Sequence, residues 1–97
     1  MYRAEALIYD KPTEVYANGS GLCVYLDPKG WRVGHVRHGI PLFAGATPVR
    51  ETAIQAMFDA SGIMDWNRQP ELKIDESPRF TDVRLRLADI QRRYDMR

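Results

Sequence analysis

Cysteine is nearly absent from this chain. A single residue, Cys23, rules out an intrachain disulfide and argues against a small secreted scaffold held by cross-links. Long apolar runs are missing as well: none approaches the roughly 18 residues that a membrane-spanning helix needs, so no membrane partner is expected. The opening Met1-Tyr2-Arg3-Ala4-Glu5 acquires charge at once and lacks the apolar stretch of a secretory leader, which makes the cytoplasm the expected location. Charge of one sign is also lacking. Fourteen Lys and Arg face 13 Asp and Glu, for a net charge of +1, so no strong whole-molecule field draws in nucleic acid or an anionic membrane. The glycines are dispersed: Gly19-Ser20-Gly21 is too short for a phosphate cradle, and Gly34, Gly39 and Gly45 do not make a dinucleotide fingerprint. No cofactor is expected.

What is present suits one compact domain over residues 1–97. Hydrophobic residues make up 44% and charged residues 28%, ordinary for a globular chain. A chain of this length buries about 65% of its unfolded surface. Eleven of the fourteen basic residues are arginine, which suits contacts of fixed geometry with carboxylates or phosphates.

Arg3–Tyr9 reads as a first strand ending near Asp10-Lys11-Pro12, because Pro12 has no amide hydrogen to give a ladder. The clearest local signal is a β-hairpin, Leu22–Leu26 and Trp31–Arg37 around Asp27-Pro28-Lys29-Gly30, with Pro28 setting a turn dihedral and Gly30 accepting positive φ. A four-residue connection opposes Leu26 with Trp31 and Val24 with Val33. A bulged three-residue loop shifts the register by one and reverses the faces. The apolar pairs favour the first. Thr47 with Pro48 predicts the start of a helix whose apolar face is Val49, Ala53, Ala56, Met57 and Ala60, stopping at Ser61-Gly62. Glu71–Asp75 reads as a short strand. In the last segment Val83, Leu85 and Leu87 alternate as a strand would, while Val83, Leu87, Ile90 and Tyr94 fall at helical spacing. The i,i+4 pairs Asp82–Arg86 and Asp89–Arg93 select the helix, with Thr81 as its cap. The fold class is therefore α+β: a small, mainly antiparallel sheet packed by two helices, in the approximate order β-β-β-α-β-α.

No catalytic constellation assembles itself from spacing. Cys23 as nucleophile, His35 as base and Asp27 as orienter are the residue types for a Cys-His centre, but the hairpin would have to bring them together. In its apolar run Cys23 reads as an inert core thiol. His35 and His38 lie three apart and lack the i,i+4 spacing of helical zinc sites, so no metal is expected. Two binding surfaces remain. From Lys29 to Arg50 the chain carries no acidic residue, and Tyr25, Lys29, Trp31, Arg32, Arg37 and Arg50 form a candidate nucleic-acid surface on a basic ribbon. The C-terminal helix offers Arg84, Arg86, Arg92, Arg93 and Tyr94, with Trp66 and Phe80 enlarging an apolar patch, as a candidate protein-binding surface. The leading expectation is a non-catalytic protein-binding or regulatory module, whose partner is another protein or a second copy; nucleic-acid binding is the first alternative and a small Cys-His enzyme the second.

Overall fold

The Asp27–Gly30 turn closes the hairpin in the register that the apolar pairs select. Leu26 lies opposite Trp31 and Val24 opposite Val33, with Gly30 at φ 128°. This hairpin is the centre of a larger sheet. In the computed structural model, which describes residues 1–68 and 80–96, the strands are β1 (Tyr2–Ile8), β2 (Lys11–Ala17), β3 (Leu22–Asp27), β4 (Gly30–His35) and the short β5 (Ile40–Pro41). They form one antiparallel meander in the order β1-β2-β3-β4-β5. Two helices follow, α1 (Arg50–Ser61) and α2 (Thr81–Arg93), with a 3-10 turn at Trp66–Arg68. The α+β class with an antiparallel sheet packed by two helices is what the pattern predicts. The strand expected at Glu71–Asp75 lies outside the described residues.

Five strands precede α1 where the sequence pattern outlines three, with Gly39–Gly45 as a loop or a short edge strand; β5 falls in that stretch. Most of the difference lies in β2, which runs straight through Pro12. Tyr9 and Asp10 have φ of 51° and 63°, the positive pair of a type I′ turn, so the flanking Ile8 and Lys11 exchange both backbone hydrogen bonds. Pro12, opposite Leu7, is then at a position whose nitrogen points away from β1. Its missing hydrogen costs the ladder nothing.

The sheet is curved and buries both faces in part. Leu22, Val24, Val33 and Trp31 face the helices, where α1 contributes Ala53, Ala56, Met57 and Ala60 and α2 contributes Leu87 and Ile90, with Val83 and Tyr94 packed at the margin. Alanines on α1 let its backbone approach β3 and β4 closely. On the other face Ile8, Val15, Ala17, Cys23 and Tyr25 form a second, smaller cluster. Curling brings the end of β1 to the turn after β4, where the Tyr9 N–H donates to the Gly39 carbonyl at 2.8 Å. Gly39 has φ 65°, and a Cβ there would stand 2.1 Å from the Leu7 oxygen, so only glycine fits this closure. A Cβ at Gly34 would meet the Tyr25 ring at 2.7 Å; the bare backbone leaves room for that ring to lie flat across β4.

Both expected helix caps move. Thr47 pairs with Trp31 as an isolated bridge (N to O 2.9 Å and 2.7 Å), which holds it extended, so α1 starts later, with Val49 at the cap position. The Thr47 hydroxyl still accepts from the Val49 N–H at 3.4 Å. Thr81 is the first residue of α2, and Phe80 occupies its cap position. The stop at Ser61-Gly62 stands as the pattern predicts. Among the described residues no helix is long and apolar enough to cross a membrane.

Candidate functional site

The three residues of the Cys-His constellation do not meet. Cys23 is opposite Gly34, and His35 is opposite Leu22. Successive residues of a strand point to opposite faces, so the thiol enters the small cluster and the imidazole faces the helices. Cys23 is fully buried, and burial pushes its thiol up to about 11, away from nucleophilic character at neutral pH. His35 is held by structural bonds: its Nε2 lies 2.9 Å from the Trp66 carbonyl, and its Nδ1 accepts the His38 N–H at 3.4 Å. The Nε2-protonated neutral tautomer satisfies both. His38 stacks on the ring with centroids 4.7 Å apart. Asp27 accepts from Arg32 at 3.0 Å and from the Lys29 N–H at 2.8 Å. Among the described residues no group of three or more His, Cys, Asp and Glu is placed to hold a metal ion.

The basic ribbon is dispersed in the same way. Arg32 is buried, paired with Asp27, and donates to the Phe43 and Ala44 carbonyls at 3.3 and 2.9 Å, so it props the loop after β5. Tyr25 is in the core, its phenol pushed up to about 12 by desolvation. Arg50 lies over the Tyr16 ring, bonds the Tyr16 hydroxyl at 3.1 Å and pairs with Glu51. Trp31 is half-buried, edge-on to Tyr16. Lys29 and Arg37 stay exposed, at opposite ends of β4.

Of the candidate C-terminal surface, Trp66 and Phe80 are core residues: Trp66, in the 3-10 turn, is 1% exposed and its Nε1 donates to the Ala60 carbonyl at 2.8 Å. Arg93 pairs with Asp89 at 2.6 Å and Asp59 at 3.0 Å, Arg92 with Asp89, and Arg86 with Asp82. The Tyr94 hydroxyl donates to Asp59 at 2.5 Å. Arg84 reaches Thr81 at 3.5 Å. A polar cleft of about 320 Å³ between the helices, lined by Asp59, Ile63, Arg86, Asp89, Ile90 and Arg93, is thus bordered by guanidinium groups that already have carboxylate partners.

The open surface lies on β1. β1 is an edge strand, and nearly all of it is exposed. Because Ile8 and Lys11 form a hydrogen-bonded pair, the alternate residues Arg3, Glu5 and Leu7 turn their N–H and C=O groups away from β2. The outward bond from Tyr9 to Gly39 follows the same alternation. Among the described residues no backbone bond reaches the outward groups of Arg3 and Glu5. Met1, Tyr2, Leu7 and Tyr9, each at least half exposed, crowd this strand and its turn. Only strand pairing places these side chains at an edge. No family model, no curated protein and no solved structure matches this chain.

Proposed function

We propose that the chain is a non-catalytic protein-binding module that docks a partner's extended segment along β1. One observation carries this reading: a seven-residue edge strand, bare of Lys and Pro, has outward backbone groups at Arg3 and Glu5 that no backbone bond reaches among the described residues, beside four exposed large apolar side chains. A long exposed edge is a template for another strand; charges blunt such edges, but Arg3 and Glu5 are of opposite sign and suit a strand of complementary charge. The C-terminal helix surface gives the idea less support, since Trp66 and Phe80 are buried and Arg86, Arg92 and Arg93 are paired with aspartates. Nucleic-acid binding has less support still, because Arg32 is buried and the exposed Lys29 and Arg37 flank opposite ends of β4.

Glu5→Pro tests the reading. It removes an outward N–H while every bond between β1 and β2 keeps its donor. Affinity capture from the native host with the wild type and with this variant is expected to lose the partner set in the variant, at unchanged thermal midpoint. Equal capture by both proteins would contradict docking along β1.

A further inference from the structure

We infer that the segment taken up by β1 is β1 of a second copy, in one antiparallel register centred on Ala4. This inference rests on the edge-strand reading and names its partner. Two strands related by a two-fold axis pair residues of equal parity, so that outward-facing groups meet outward-facing groups. Leu7 is excluded as an outward partner, because Gly39 already presses on its carbonyl. The remaining hydrogen-bonding positions are Arg3 and Glu5. Pairing Arg3 with Arg3, or Glu5 with Glu5, sets like charges directly opposite. Pairing each Arg3 with the other copy's Glu5 sets opposite charges in contact on both sides of the axis.

That register lets Arg3 and Glu5 exchange both backbone bonds across the interface, twice. On the other face of the strand it sets Ala4 against Ala4 and Tyr2 against Ala6. The Tyr2 ring, 55% exposed in the single copy, then covers two small side chains that leave it room. Arg3 is 3.5 Å from Glu14 across β2, an exposed pair, so in the dimer its guanidinium is flanked by carboxylates from both copies. The two meanders join into one continuous antiparallel sheet.

Sedimentation across concentration, on the full chain, is expected to show the mass double from 11.2 kDa. R3E and E5R, each alone, put like charges opposite and are expected to stay monomeric. Mixed together they are expected to form a heterodimer, and the double swap R3E/E5R to dimerise again. Ala4→Cys places a thiol on the axis and is expected to cross-link under mild oxidation, whereas Ala6→Cys, facing Tyr2, is not. A wild type that stays monomeric while A4C fails to cross-link would overturn the inference. So would a mixture of R3E and E5R that remains monomeric, or cross-linking through A6C in preference to A4C. A monomeric wild type whose captured partner is lost in E5P separates failure of this inference from failure of the docking reading.

Discussion

Residue types alone mislead most where a polar side chain finds its partner through the fold. Arg32 reads in sequence as one cation among several in an acid-free stretch; in the fold it is buried among Asp27 and two carbonyls of a loop it supports. Breaking such a buried pair leaves the other group uncompensated, so its role is structural. Cys23 shows the reverse, since its apolar neighbours already mark it as a core thiol and the fold agrees. With its thiol raised to about 11 and no exposure, Cys23 is expected to react with iodoacetamide at pH 8 about a hundredfold more slowly in the folded protein than in urea. Mass spectrometry against time reads this directly; equal rates would contradict a buried thiol, and only faster reaction in the folded protein would restore the nucleophile reading.

At the scale of elements, legibility followed local constraint. The β3–β4 register was legible because slipping it by one residue would turn Leu26 and Trp31 to opposite faces. Both helices were legible from their apolar stripes and, in α2, from the Asp82–Arg86 and Asp89–Arg93 pairs, both of which form. β2 was not, because whether Pro12 stops a strand depends on which way its nitrogen points, and that follows from a turn with two left-handed residues, Tyr9 and Asp10, neither of them glycine. Thr47 does not cap α1 because a pairing with Trp31, sixteen residues away in sequence, holds it extended.

The segment after α1 is fastened to the sheet through His35 and Trp66. Burial first, and then the charge of His38, hold His35 below its ordinary value of 6.5, so it stays neutral in the fold. The unfolded chain therefore binds a proton that the folded one refuses. Stability from this site is complete above pH 6.5 and is lost as the pH falls through the lower folded value. Thermal melts from pH 7.5 to 5 are expected to show that loss, and His35→Gln to flatten it. An acid profile identical in both proteins would contradict the assignment.

For the whole molecule, the proposed function turns on which strand is last. The curl that brings Tyr9 to Gly39 closes one end of β1 and, among the described residues, leaves the outward groups of Arg3 and Glu5 without a backbone partner; this asymmetry depends on all five strands together. It was not legible in the sequence, although Arg3 and Glu5 stand there two residues apart. Candidate sites read from charge and aromatic content favoured the hairpin and the last helix because those features are local; an open edge is a property of the sheet. Amide hydrogen exchange, residue by residue over β1, tests the open edge most directly. In dilute protein Ala4 and Ala6 are expected to exchange slowly and Arg3 and Glu5 fast, the latter slowing at least about tenfold as concentration rises. Arg3 and Glu5 amides already protected in dilute protein, or exchanging no slower at high concentration, would contradict an edge that binds a second copy.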